Sequence, residues 1–173
     1  MKSFNITLNY LLTFVLLFSV ISCSQAENSN EEKANKKASI EDQLSKIKLP
    51  DGFEISIYAD NVPNARSMAL GANGTLFVGT RKSTLYAILD TNKDFKADEV
   101  LTLEDDLNSP NGVAFRNGSL YVGEIDRLLR YDNIESKLRK LPKPVVIYDD
   151  YPSDRHHGYK YIAFGPDDKL YIP

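Results

Sequence analysis

Three features of the 173-residue sequence predict an all-β fold: a hairpin pattern that recurs, a spacing of about 45 residues between its copies, and a folded region rich in Tyr, Phe, Val, Ile and Leu. The copies read SMALGANGTLFVG from Ser67, GVAFRNGSLYVG from Gly112 and YIAFGPDDKLYIP from Tyr161. Each joins an apolar strand containing alanine to a Leu-aromatic-aliphatic strand through a tight polar turn. The alanines are Ala69, Ala114 and Ala163, 45 and 49 residues apart; the leucines are Leu76, Leu120 and Leu170, 44 and 50 apart. Hairpin units with a period of about 40–50 residues predict the blades of a β-propeller. Chance likeness among three short hairpins is the competing reading.

The elements follow in order. Asn73-Gly74, Asn117-Gly118 and Asp167-Asp168 fall where each hairpin reverses, and these residue types tolerate the positive φ a tight turn needs. A third strand is expected at Leu85–Leu89 and again at Leu128–Tyr131, and a fourth at Val100–Leu103 and Val145–Tyr148. Each blade then has four strands, as propeller blades do. Phe53–Tyr58 alternates as FEISIY and reads as a strand of the kind that completes the last blade of a closed ring. The total is about two and a half blades. A ring needs at least about four, and an open set exposes sheet edges. The sequence therefore reads as the N-terminal part of a longer propeller. A small sandwich that closes on itself is the alternative.

Residues 1–23 have the layout of a secretory signal peptide: Lys2 near the start, an apolar run from about Tyr10 to Ile21, and small residues before a cleavage point. The run is shorter than the ~20 residues of a comfortable membrane span. Val20-Ile21-Ser22-Cys23 resembles a bacterial lipobox, which makes Cys23 the lipidation site and the protein membrane-anchored. Ser24 after it fits the outer-membrane sorting pattern of Gram-negative lipoproteins. An ordinary signal with a chance cysteine is the plainer reading. Cys23 is the single cysteine, so an intrachain disulfide is excluded. Residues 24–48 are rich in Ser, Asn, Glu and Lys and read as a disordered or loosely helical tether. The folded domain is expected over 49–173. The net charge of −3 is mixed along the chain, and no basic patch points to nucleic acid.

The loops carry the candidate chemistry. His156 and His157 are the only histidines. On residue type alone, a loop His pair is more often solvated than catalytic. Adjacent histidines seldom aim at one ion, and Asp154 is the sole nearby third ligand. In DTNKDFKADEV, Asp90, Asn92, Asp94 and Asp98 place oxygens as in the start of a calcium loop. Phe95 stands where such a loop needs glycine and Leu101 where it needs a bidentate glutamate, so a solvated acidic loop is the stronger reading. Asn111 opens the second copy and Arg66 holds the equivalent place in the first, positions that can line a propeller's channel. Arg127 and Arg130 read as surface or ion-paired residues. Ser83 and Ser153 lack a Gly-x-Ser-x-Gly context. No phosphate loop or dinucleotide fingerprint occurs.

LPDGFEISIYADNVPNARSMALGANGTLFVGTR, NSPNGVAFRNGSLYVGEIDRLLRYDN and YPSDRHHGYKYIAFGPDDKLYIP together resemble the N-terminal part of sorbosone dehydrogenases, within the glucose/sorbosone dehydrogenase family. The resemblance covers about Leu49 to Pro173. It implies a six-bladed propeller and a quinoprotein that uses pyrroloquinoline quinone (PQQ) with Ca2+ to oxidise a sugar or related aldehyde, passing electrons to a periplasmic acceptor such as a cytochrome. The family's base stands eight residues before the glycine of Gly-Pro-Asp; here that glycine is Gly165 and the base is His157. An imidazole, with an ordinary pKa of about 6.5, is mostly able to accept a proton at pH 7. Some relatives have a sugar-binding aspartate just before the base, where this chain has His156; Asp154 and Arg155 are the candidate substitutes, with Asn111 a weaker one. The resemblance places the residues that hold PQQ and calcium in later blades, so this chain alone is expected to be inactive. A non-catalytic propeller lipoprotein that binds a glycan or a protein is the alternative function, and a lactonase-type hydrolase would need a metal set that is not evident.

Overall fold

The computed structural model describes Asn35 and residues 38–173. The expectations for residues 1–23, Cys23 included, and for most of the tether lie outside the described residues. The chain divides into two compact units, Met1–Ser56 and Ile57–Pro173. In the first, residues 38–45 are helical and largely exposed. Lys46 Nζ lies 2.6 Å from Asp42 Oδ2, one helical turn back. Among the described residues no helix is long and apolar enough to cross a membrane.

The second unit is all-β. Strands β1 (Ala65–Leu70), β2 (Leu76–Thr80), β3 (Leu85–Leu89) and β4 (Glu99–Glu104) form one antiparallel sheet in that order. Strands β5 (Gly112–Arg116), β6 (Ser119–Gly123), β7 (Leu128–Tyr131) and β8 (Val145–Tyr148) form a second sheet in the same order. Strands β9 (Ala163–Phe164) and β10 (Leu170–Tyr171) pair as a hairpin. These are the predicted third and fourth strands and the three predicted hairpins. The described strands form no closed ring.

The turns follow from residue type. Asn117 (φ 49°) and Gly118 (φ 78°) are both left-handed between the closing pair Arg116 and Ser119, the two-residue turn that matches strand twist. The outer hairpins share a different turn. Gly71 N–H donates to Thr75 O and Gly74 N–H to Gly71 O; Gly165 and Asp168 repeat these bonds with Lys169 and Gly165. Gly74 (φ 93°) and Asp168 (φ 61°) take the left-handed position in each.

Strand alternation sorts the side chains into layers. Phe77, Leu85, Ala87 and Leu103 of the first sheet face Val113, Leu120, Val122, Leu129 and Tyr131 of the second, with Ile134 closing the base. Burying each large aliphatic of this kind contributes about 1.5–3 kcal/mol. The second sheet's other face, through Ala114, Tyr121 and Leu128, packs on Ile162, Phe164 and Leu170 around the hairpin. The first sheet's other face packs Val78, Tyr86 and Ile88 against Tyr58, Ala59 and Val62.

The segment Phe53–Tyr58, expected to be a strand, has no ladder partner. Its alternation is real, but a strand needs a neighbour to bond. Phe53 and Ile55 are exposed. Tyr58 instead accepts from Ala97 N–H at 2.8 Å.

Successive sheets meet closely where the second strand of one passes the start of the next. Thr80 N–H donates to Pro110 O at 3.1 Å. A Cβ on Gly79 would collide with Pro110 O and lie 2.7 Å from Asn111 O. Gly123, at the same place in the next repeat, lies under Lys160 and Ile162. Gly79→Ala should therefore destabilise the protein by about 1–3 kcal/mol, because backbone atoms must move to admit the methyl. Urea unfolding checks this; an unchanged midpoint would show that the sheets slide apart without cost.

Candidate functional site

Antiparallel order sends the connections to two ends. The hairpin turns and the 90–98 loop lie at one. The start of β1 and the β2–β3, β4–β5, β6–β7 and β8–β9 connections lie at the other, called here the loop end.

At the loop end the residue three before each repeated alanine is Arg66, Asn111 or Lys160. These three link in order. Arg66 Nε donates to Asn111 Oδ1 at 3.3 Å, and Asn111 Nδ2 donates to Lys160 O at 3.0 Å. Lys160 Nζ then donates to Ile125 O at 2.7 Å and sits 4.6 Å from the centre of the Tyr151 ring. Burial pushes the Lys160 ammonium below its ordinary range, against a smaller pull from Asp126. Ser67 Oγ donates to Asn111 O and accepts from Val113 N–H, which ties β1 to β5. Asn111 is thus a buried linker between sheets. Lys160 escaped the sequence reading, although its repeat position equals those of Arg66 and Asn111.

The connections themselves are cross-linked. Leu107 N–H donates to Ser83 O at 3.0 Å and Ile125 N–H to Asn108 O at 3.1 Å. Asn108 N–H donates to Glu124, whose carboxylate is fully buried and paired with Arg127. The Glu124 hydrogen bond raises the Arg127 guanidinium above its ordinary value. Arg130 pairs with Asp132 at 2.7 Å. Both arginines are therefore ion-paired, as their positions beside a strand led one to expect.

His156 and His157 occupy a turn in the β8–β9 connection, both exposed, with ring centres 4.2 Å apart and edge to face. His157 is left-handed, φ 63°. Gly158 follows because any Cβ there would collide with Asp154 O. Arg155 Nη2 donates to Asn108 Oδ1 at 3.1 Å, which fastens the turn to the β4–β5 connection. Arg155, His156 and His157 therefore share one anchored turn whose base rests on Asp154. Asn111 joins them through the backbone of Lys160.

The 90–98 loop is at the opposite end. Asp94 N–H donates to Asp90 Oδ1 (3.2 Å) and Asn92 Oδ1 (3.0 Å), and Phe95 N–H donates to Asp90 Oδ2 (3.0 Å). Asp98 Oδ2 accepts from Thr91 N–H at 2.7 Å and from Thr91 Oγ1 at 2.5 Å. Phe95 is left-handed, φ 64°, at the place where a calcium loop has glycine. The oxygens of Asp90, Asn92 and Asp98 thus serve the loop's own N–H groups. Among the described residues no cluster of three or more His, Cys, Asp or Glu is arranged to hold a metal.

No protein-family model matches the chain. An uncharacterized protein of Borreliella burgdorferi (strain ATCC 35210) is 23% identical over 101 residues, 58% of this chain and 25% of that protein. The chain thus matches about a quarter of the length of this curated relative.

The Thr91 hydrogen bonds hold the Asp98 carboxyl below its ordinary value of 3.8. A carboxyl lowered on folding stabilises above its unfolded pKa, and this contribution is lost as pH falls through the folded value. Asp98→Asn should lower Tm at pH 6, and the gap to wild type should close as pH drops below 3.8. A gap that persists at pH 2 would mean that the loop depends on shape and not on charge.

Proposed function

We propose that the two sheets and the third hairpin are blades of a β-propeller, and that the chain is part of a periplasmic, lipid-anchored dehydrogenase of sugars or related aldehydes, with His157 as its base. The observation that carries this is the His157 turn. An exposed imidazole is held at positive φ on a turn anchored by Arg155 to Asn108, at the end where successive sheets begin. His157 would take the proton of the hydroxyl or hydrate being oxidised, and His156 packs beside it as a neighbour. Apolar side chains left open support further blades: Met68 and Leu70 on β1 are 63% and 66% exposed, and Val145–Tyr148 on β8 form an apolar edge.

The residues described do not build a cradle for PQQ or its calcium. No acidic cluster supplies the ion's ligands, and the 90–98 carboxylates lie at the wrong end. In this reading those ligands come from later blades, and this chain contributes the base and part of the substrate rim. The alternative, a non-catalytic propeller lipoprotein binding a glycan or a protein, draws on the polar rim of the loop end without needing a cofactor.

The test is dye reduction by the native protein from its own membrane fraction, supplied with PQQ, calcium and a panel of aldoses and sorbosone. His157→Ala should lower turnover by about 10²–10⁴-fold, and His156→Ala should leave most of it. The reverse pattern rejects the assignment of the base, and inactivity of wild type on every substrate favours the binding module. Six blades of this period require a native mass roughly twice 19.5 kDa or more; mass spectrometry of the same fraction reads it.

A further inference from the structure

Seven arginines lie in the second unit. Arg116, Arg127, Arg130 and Arg139 pair with Asp168, Glu124, Asp132 and Glu99. The other three, Arg66, Arg81 and Arg155, make no ion pair among the described residues, and all three stand at the loop end. Arg66 is spent on Asn111 within the ladder described above. Arg81 and Arg155 face the same open cleft, of about 540 Å3, with Lys82, Asn108 and Tyr159 along its walls.

Both guanidinium groups are held in place by neutral partners. Arg81 Cζ lies 5.2 Å from the centre of the Tyr159 ring, and Arg155 Nη2 donates to the Asn108 side-chain oxygen. An aromatic face and an amide oxygen orient a guanidinium but leave its charge uncancelled. The cleft's single acid, Asp106, pairs with neither. The walls are fixed as well: Ser109 Oγ donates to Arg81 O at 3.3 Å, and Leu107 N–H to Ser83 O at 3.0 Å. Part of the cost of ordering the two arginines is thereby met before a ligand arrives.

We propose that this cleft is an oxyanion-binding site, in which Arg81 and Arg155 together clasp a carboxylate or phosphoryl group and Lys82 adds a third positive charge. Guanidinium forks suit planar or tetrahedral oxyanions because two parallel N–H bonds fit two oxygens. The site stands apart from the dehydrogenase reading. Where that reading holds, it makes an acidic sugar, a uronate or a sugar phosphate, the substrate class.

Isothermal titration of the full chain with sodium glucuronate, inorganic phosphate and glucose, at low ionic strength, tests this without quinone or turnover. A failure here is therefore separate from a failure of dye reduction. The expected result is saturable binding of at least one anion and none of glucose. Arg81→Gln and Arg155→Gln should each weaken it by about tenfold or more, while Arg139→Gln, at a paired site, leaves it unchanged. Tighter binding of glucuronate assigns a carboxylate ligand, and tighter binding of phosphate a phosphoryl ligand. Thermal melts of the two variants confirm that they fold, and Arg155→Lys should recover part of the affinity as charge without the fork. Absence of saturable anion binding, equal binding of glucose, or equal loss in Arg139→Gln overturns the proposal.

Discussion

The close approach of each sheet's second strand to the start of the next sheet sets the rest of the structure. Gly79 lets backbone meet backbone, Gly123 leaves room for the side chains of Lys160 and Ile162, and Thr80 N–H fixes the first contact by bonding to Pro110 O. Once that contact is made, the wedge between the sheets has one filling. Phe77 stacks on Phe115 with ring centres 5.9 Å apart, and Leu120, Leu129 and Tyr131 close the remainder. The same contact draws Arg66, Asn111 and Lys160 into one line. The loop end is assembled as a by-product of how the sheets stack.

The two ends are built differently. At the turn end the reversals are largely satisfied by their own residues, and side chains bridge the layers at Arg139–Glu99 and Arg116–Asp168. There Glu135 accepts from Ala72 N–H and Asn73 N–H at 3.1 and 3.0 Å, so the second sheet's base caps the first sheet's hairpin. At the loop end the connections are held by one another. Asn108 alone receives Arg155 on its side chain and Ile125 on its carbonyl, and gives its N–H to Glu124. Loops anchored on rigid sheets in this way are where binding residues usually sit.

Much of the fold was legible in the sequence because its signals are local. Asn117-Gly118 names its turn type. Third and fourth strands could be placed because the repeat supplied their spacing. Phe53–Tyr58 misled for a physical reason: alternation shows that a segment could be a strand, while a ladder requires a partner that lies elsewhere. The site was less legible. His157 was singled out through a resemblance alone, and nothing in its local sequence announces the left-handed backbone. Lys160 and Glu124 carry no local signal of burial; their partners lie 35 and 16 residues away. Phe95 shows the limit of pattern matching, since the loop takes the left-handed bend that glycine was thought necessary to make.

The two sheets and the hairpin form a stack with the second sheet in the middle, while the loop-end contact of Arg81 with Tyr159 skips a layer. Stability in a stack is close to a sum of layer and interface contributions, and order can spread from any well-packed layer to its neighbours. The second sheet alone is packed on both faces by other strands, through the cores it shares with the first sheet and with the hairpin. It is the natural place for structure to begin and the last to open. Amide protons of β6 and β7 should therefore exchange with solvent most slowly, while the two-residue strands β9 and β10 fray first. The His157 turn lies between these extremes. It is joined by the chain to the most persistent layer on one side and to the most labile on the other, so the imidazole sits on the boundary between the two.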